Sequence, residues 1–100
     1  MKKKLTAKSI LKKIEDNRNN LRKCEVKRIG LFGSFLKGKQ NNKSDMDFIV
    51  EFNKSTFDNY MDLKFFLERL FHKKVDLVTE KSLKPSLKYI KEEAVYAKRI

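Results

Sequence analysis

The segment that decides the fold is residues 26–52, which read VKRIGLFGSFLKGKQNNKSDMDFIVEF. Its first part, Val26–Phe32, is rich in β-branched and apolar residues and is bounded by Gly33, which is typical of a strand. Its last part, residues 45–52, is a second such run. The segment therefore predicts two strands, joined by a connection that starts at a tight turn.

Further helical and strand patterns lie on both sides of this segment. Apolar residues recur at helical spacing over residues 5–21 and again over Phe57–Phe71. The remaining predicted elements are a short helix at 35–39, a loop at 40–44, a third strand at 74–79 and a final helix at 86–97. This order indicates a single α/β domain over residues 1–100, with helices packed against a small sheet of three or four strands.

The composition narrows the class of protein. The formal net charge is +12 over 100 residues, although residues 45–71 hold more acidic than basic side chains. Such a chain suits a polyanionic partner, or its lysines serve solubility alone. Cys24 is the only cysteine and His72 the only histidine, which excludes an internal disulfide and a zinc cluster. His72 is interpreted as a helix-end residue. With no apolar run long enough to span a bilayer, the expectation is a soluble cytoplasmic domain.

Gly33-Ser34 is the first candidate site. Glycine after a buried strand lets the backbone pass close to a ligand, and amides at the start of a following helix, with the Ser34 hydroxyl, can cradle phosphate. Lys37 can add positive charge. The motif is neither a P-loop nor a dinucleotide fingerprint, and a Gly-Ser turn is by itself more often structural.

Asp45 and Asp47 form the second candidate site. Residues two apart in a strand face the same way, so both carboxylates point to one side. Their repulsion is relieved when a cation lies between them, and oxygen ligands without His or Cys favour Mg²⁺ or Mn²⁺ over zinc. The alternative is that Asp45 caps a turn and Asp47 is merely solvated.

Asp76 is the third acidic candidate. It interrupts an apolar strand, where burial of a carboxylate is costly unless it is paired or binds metal. If this strand lies beside the second one, Asp76 joins Asp45 and Asp47 in a buried trio. Three carboxylates opposite a phosphate cradle are the groups that metal-assisted nucleotidyl transfer requires.

The spacing of these residues resembles a known signature. Gly33-Ser34, ten further residues and Asp45-Met46-Asp47 are similar to the Gly-Ser-x10-Asp-x-Asp motif of the DNA-polymerase-beta-like nucleotidyltransferase superfamily. The flanking sequence resembles its minimal nucleotidyltransferase (MNT) branch, which is also similar at residues 74–79 and 90–96.

The resemblance implies a mixed sheet flanked by helices that binds ATP with Mg²⁺. It implies that Gly33 and Ser34, with Lys37 beside them, hold the nucleotide phosphates. It assigns Asp45, Asp47 and Asp76 to the metal site, with Asp76 also as the base. Members of this branch act as antitoxins that transfer AMP to a tyrosine of a HEPN ribonuclease toxin.

One difference from the family pattern concerns the segment after the cradle. The family often has Arg-Gly-Glu where this chain has Lys37-Gly38-Lys39, so the positive charge is kept but the bidentate fork of arginine is lost. The absent acid affects expected partner contacts rather than the metal site.

Two other functions remain open on the sequence. One is a non-catalytic module of the same fold that binds a toxin, or binds RNA through its lysines. The other is a transferase for a small hydroxyl compound, although such enzymes carry a further domain for the acceptor. The three aspartates favour a nucleotidyltransferase acting on a partner protein, because a pure binding module has no need of them.

Overall fold

A computed structural model describes residues 5–41, 43–98 and 100 of the chain. Asn42, which belongs to the predicted loop at 40–44, lies outside the described residues. The elements in chain order are α1 Ala7–Asp16, α2 Arg18–Lys23, β1 Val26–Phe32, α3 Ser34–Lys37, β2 Met46–Phe52, α4 Phe57–Phe71, β3 Val75–Thr79, the 3₁₀ turns Glu80–Ser82 and Pro85–Leu87, α5 Tyr89–Glu93 and β4 Val95–Tyr96.

The four strands form one mixed sheet in the order β3-β2-β1-β4. β1 is antiparallel to both of its neighbours, whereas β2 and β3 are parallel. A parallel pair needs a crossover, and the helix α4 supplies it. The expected mixed sheet flanked by helices is confirmed.

One face of the sheet carries the hydrophobic core. Met46, Phe48 and Val50 alternate along β2 and are all fully buried on this face. Helices α1 and α4 cover them, and the ring of Phe71 from α4 stacks on Phe48 with centroids 6.0 Å apart. The opposite face is left to the remaining alternate residues of each strand, and it is this face that carries the polar clusters.

The C-terminal segment packs against the opposite face. The guanidinium of Arg28 on β1 donates two hydrogen bonds, of 2.7 and 2.6 Å, to the carboxylate of Glu80. The ring of Tyr96 lies over Gly30, where an added Cβ would be 3.1 Å from the Tyr96 Cδ2 atom. Gly30 therefore serves close packing within a strand.

The predicted helix over residues 5–21 is interrupted at Asn17. The Asn17 side chain donates a 2.7 Å hydrogen bond to the Lys13 carbonyl, and its backbone leaves the helical region, so α1 ends and α2 begins there. Asparagine competes with the helix backbone in this way because its amide can bond neighbouring carbonyls. The start is as expected, because Thr6 and Ser9 form a reciprocal capping box.

The predicted final helix over residues 86–97 is wrong. Pro85–Leu87 is a 3₁₀ turn, α5 spans only Tyr89–Glu93, and Val95–Tyr96 is a strand paired with β1. Ala94 takes an extended conformation with ψ of 141°. The edge of β1 offers unpaired backbone groups, and pairing with that edge outweighs the helical preference of the segment.

Helix α4 has the predicted bounds and ends at His72. His72 adopts a left-handed conformation with φ of 55° and caps the helix, so the interpretation of His72 as a helix-end residue is confirmed. Within the described part of the chain, no helix is long and apolar enough to cross a membrane.

Candidate active site

The predicted site residues meet at one end of the sheet. Phe32, the last residue of β1, pairs in register with Asp47 of β2, and Asp47 pairs in turn with Asp76 of β3. Register partners on adjacent strands share a face, so Asp47 and Asp76 point to the same side. Asp45 immediately precedes β2, and the glycine of the candidate phosphate cradle follows β1. The fold therefore places the carboxylates of Asp45 and Asp76 near that of Asp47, which is the one beside Gly33.

Asp47 is the central carboxylate and the most perturbed one. Partial burial raises its pKa to about 6, and the negative charges of Asp76 and Asp45 add to that rise. A carboxylate held against two others has a strong preference for a bound cation or a proton. The electrostatics thus match a site that neutralises Asp47 with positive charge.

The expected buried trio is corrected in one respect. Asp47 is partly buried, but Asp45 and Asp76 are exposed. Asp76 is exposed because β3 is the edge strand of the sheet and its polar face is open at this end. The two exposed carboxylates are therefore accessible to solvent and to a substrate.

Gly33 lies directly against Asp47. Its φ of 78° and ψ of −154° fall in a region that essentially only glycine adopts. A Cβ atom added there would collide with the Asp47 Oδ2 atom and lie 3.0 Å from its Cγ. Both the backbone conformation and the space therefore require glycine, which keeps the main chain close to the carboxylate.

Helix α3 begins at Ser34, next to this glycine. The amides of Leu36 and Lys37 donate to the Gly33 carbonyl at 3.2 and 3.1 Å. The amides of Ser34 and Phe35 belong to the first turn, where backbone N–H groups have no intrahelical acceptor. These two donors and the Ser34 hydroxyl are the components of the predicted phosphate cradle.

Lys37, the third predicted nucleotide-binding residue, is at the other end of α3. Its Nζ atom lies 3.9 Å from the Glu93 Oε2 atom of α5, and its side chain is 54% exposed. The pair is a solvated ion pair, which is weak and easily separated. No local pattern in the sequence identifies Glu93 as this neighbour, because the contact depends on how the C-terminal segment folds back.

The donor set of the site consists of oxygen atoms. Among the described residues, no three His, Cys, Asp or Glu side chains are close enough to hold a metal ion unaided. Mg²⁺ rarely needs such a cage, since it binds one or two carboxylates and completes its shell with water and substrate phosphates. The aspartates therefore fit an Mg²⁺ ion that is shared with a triphosphate.

Comparison with known proteins identifies the family of the chain. The nucleotidyltransferase domain family matches residues 8–100 of the chain. The protein adenylyltransferase MntA of Thermococcus cleftensis is 37% identical over 73 residues, covering 71% of this chain and 74% of its own length. A Methanocaldococcus jannaschii protein, MJ1379, provisionally named a protein adenylyltransferase, is 42% identical over 79 residues, covering 74% and 79%.

Solved structures show the same fold. One provisionally described as a minimal nucleotidyltransferase superposes with a TM-score of 0.78 and 27% identity, covering 94% of this chain and 98% of its own. A chain from a toxin–antitoxin crystal structure with AMP-PNP has a TM-score of 0.68 and 25% identity, covering 93% and 73%. The chain therefore belongs to the nucleotidyltransferase domain family and has the polymerase-beta-like fold of the minimal nucleotidyltransferases.

Proposed function

We propose that this protein transfers AMP from ATP to a hydroxyl group, the phenol of a tyrosine, on a partner HEPN ribonuclease toxin, and so acts as the antitoxin of that toxin in the cytoplasm. The observation that carries the proposal is the in-register placement of Asp47 beside Asp76, with Gly33 packed against Asp47. Family membership and the adenylyltransferase names of the relatives support AMP transfer.

The proposed reaction is a displacement at the α-phosphorus of ATP. The acceptor oxygen forms a bond to that phosphorus, and the bond to the bridging oxygen of pyrophosphate breaks. The acceptor loses its proton to Asp76, which is exposed at the open end of the sheet and can reach an incoming hydroxyl group. The products are the AMP-modified partner and pyrophosphate.

The other site residues bind and orient the nucleotide. Asp45 and Asp47, together with Asp76, would hold Mg²⁺, which when bound neutralises triphosphate charge and lowers the pKa of the acceptor hydroxyl. The Ser34 and Phe35 amides would donate to the terminal phosphates at the start of α3. Lys37 would exchange its weak pair with Glu93 for a phosphate oxygen.

A partner protein is the acceptor that best suits this chain. The relatives named protein adenylyltransferases act on proteins by name, and the AMP-PNP structure is described as a toxin–antitoxin. The described residues form one small sheet with its helices, which together build the nucleotide site. An acceptor that brings its own contacts therefore fits better than a small molecule.

The test is intact-mass spectrometry of the purified chain with ATP, Mg²⁺ and a HEPN protein that co-purifies with it. We expect mass additions of AMP on the partner, lost in the Asp45→Asn/Asp47→Asn variant. A matched control is Asp58→Asn/Asp62→Asn, which removes two exposed carboxylates of α4 and the same charge. Peptide mapping then identifies the modified side chain.

Two outcomes would overturn the proposal. If no AMP is transferred while the site variant still binds and silences the partner, the protein is a non-catalytic binding module. If both double variants lose activity equally, the loss reflects net charge rather than the site. Transfer to a side chain other than tyrosine would overturn the tyrosine assignment alone.

A further inference from the structure

The two edges of the sheet differ in how their outward backbone groups are hydrogen-bonded. At the β3 edge, side chains of α4 bond two of the outward backbone groups. The Val75 amide donates to the Glu68 Oε2 atom at 3.1 Å, and the Tyr60 hydroxyl donates to the Leu77 carbonyl at 2.6 Å. A strand edge occupied in this way cannot accept another strand, which is how natural sheets avoid unwanted pairing.

At the β4 edge, no described residue bonds the outward backbone groups of Tyr96. The Ala97 amide donates to the Ile29 carbonyl at 2.9 Å, so that pair is the hydrogen-bonded one of the antiparallel ladder. Because such ladders alternate, the neighbouring pair of Gly30 and Tyr96 is not hydrogen-bonded. The Tyr96 N–H and C=O therefore point away from β1, toward the free edge.

The next outward group along this edge is already occupied. The Lys98 amide donates to the Glu15 Oε2 atom of α1 at 2.9 Å. A helix carboxylate thus fills the position that a further strand would take at residue 98. The open stretch is the one beside Tyr96, where α1 leaves a space.

That space is a groove of about 610 Å³ between α1 and β4. It falls in the range of roughly 300–1,000 Å³ that binding clefts occupy. Its apolar part includes Leu11 and Val95, and the Val95 side chain is 46% exposed. Among the described residues, its charged lining consists of the cations Lys8, Lys12 and Lys98 and the carboxylate of Glu15.

We propose that the α1–β4 groove is a docking site for an extended, acidic segment of a partner protein, which adds a strand to the free edge of β4. The outward N–H and C=O of Tyr96 supply the backbone pairing, and Leu11 and Val95 receive alternate apolar side chains. Glu15 bonds the Lys98 amide and Lys12 pairs with Asp16, at 2.9 Å in each case. Among the described residues, no carboxylate pairs with the ammonium groups of Lys8 and Lys98, which can therefore meet carboxylates of the segment.

Charge argues against a second copy of this chain as the occupant. A symmetric pairing of two β4 edges would place the same lysines of both copies against each other, because such an interface uses one patch twice. Nucleic acid has the right charge, but it has no backbone that can pair with Tyr96. An acidic strand can pair with the Tyr96 backbone and also place carboxylates against the lysines of the groove.

The groove and the carboxylate site are separate surfaces. β4 borders only β1, whereas the carboxylates come from β2 and β3. A segment bound in the groove would leave the nucleotide site free. The proposal concerns binding alone, so a failure of AMP transfer would not affect its test.

The test uses a short capped peptide that alternates glutamate with valine, measured by isothermal titration and by two-dimensional NMR of the whole chain. We expect binding, a shift of the Tyr96 amide signal, and slower hydrogen exchange at that amide. The Lys8→Glu/Lys98→Glu variant should lose affinity by about tenfold or more. The matched control Lys23→Glu/Lys54→Glu, which changes exposed lysines elsewhere by the same charge, should bind as the original chain does.

A second peptide, with all of its backbone nitrogens methylated, checks the strand pairing. It keeps the carboxylates but lacks backbone donors, so we expect its affinity to fall. Equal binding of the two peptides, equal loss in both lysine variants, or shifts located away from Tyr96 would overturn the proposal. So would a dimer formed through β4, or binding of a single-stranded oligonucleotide at these lysines without peptide binding.

Discussion

The main chain at Gly33 lies against the carboxylate of Asp47, so closely that a single added carbon atom would collide with it. We therefore expect Gly33→Ala to displace Asp47 and reduce AMP transfer by at least tenfold. The positive φ of 78° adds strain, and together these effects should lower the free energy of unfolding by about 1–3 kcal/mol. Initial rates of transfer and urea unfolding measure the two effects.

Gly38→Ala is the matched control for this prediction. Gly38 also has a positive φ, of 71°, but a Cβ there would meet nothing within 4 Å. Gly38→Ala should lower the free energy of unfolding by about 1 kcal/mol through backbone strain and leave the rate of AMP transfer unchanged. Equal losses of activity in the two variants would show that contact with Asp47 is not what matters.

The Asp47 carboxylate should reduce the stability of the free protein at neutral pH. Its folded pKa of about 6 is above the ordinary value of 3.8, so the folded state binds its proton more tightly. Proton binding to Asp47 therefore stabilises the folded state. This contribution is complete below about pH 4 and is lost as the pH rises through about 6. Removing the charge with Asp47→Asn should therefore stabilise the fold at neutral pH.

We expect Asp47→Asn to raise the unfolding free energy by about 1 kcal/mol above pH 7, after allowance for solvent screening. The gain should disappear near pH 4, while AMP transfer is abolished. Urea unfolding in the presence of a chelator, at several pH values, measures the difference. A variant that is less stable than the original chain at neutral pH would contradict this account of Asp47.

The ion pair between Arg28 and Glu80 should anchor the C-terminal segment. The Glu80 side chain is only 6% exposed, and Lys91 also bonds it at 3.2 Å. Burial alone would raise the pKa of Glu80, but the bonds from Arg28 and Lys91 outweigh burial and lower it. The pair therefore contributes stability at neutral pH, which is lost as the pH falls below the ordinary Glu80 value of 4.5.

Arg28→Met should cost about 2 kcal/mol, because it leaves the Glu80 carboxylate with one partner. The loss should shrink as Glu80 becomes protonated at low pH. Lys12→Met is the control: it breaks the exposed pair with Asp16 and should cost no more than about 0.5 kcal/mol. Similar losses of unfolding free energy in both variants would show that the Arg28–Glu80 pair stabilises the fold no more than an exposed ion pair does.

His72 should be replaceable by glycine with a gain in stability. It holds a φ of 55° at the end of α4, a conformation in which glycine is less strained. We expect His72→Gly to stabilise the protein by about 0.5–1 kcal/mol and to leave the rate of AMP transfer unchanged. A large loss of AMP transfer would show instead that His72 takes part in the reaction.

The strand β1 and the helix α4 could be predicted from the sequence because their signals are local. Val26–Phe32 and Phe57–Phe71 have the predicted bounds, since each is a dense apolar run ended by a glycine or a cap. Gly33, Asp45 and Asp47 were assigned to one site because their spacing resembles the family motif, and the structure places Gly33 against Asp47. Asp76 could be placed beside them only by assuming that β3 pairs with β2.

The features that were not predicted depend on distant contacts. β4 is only two residues long and exists because β1 offers it an edge, so no local pattern in residues 86–97 specifies it. The exposure of Asp76 follows from the position of β3 at the other edge of the sheet. The pairing of Lys37 with Glu93 likewise depends on the return of the C-terminal segment.

The parallel pairing of β2 with β3 sets the order in which the site can form. β1 and β2 form an antiparallel pair over a short stretch of chain, so Gly33 and Asp47 can meet early in folding. Asp76 reaches Asp47 only after the whole of α4 has been made and has crossed over the sheet. Such long-range pairings are slow because the intervening loop must be closed first. A chain emerging from the ribosome therefore carries an incomplete set of carboxylates until this last pairing is made.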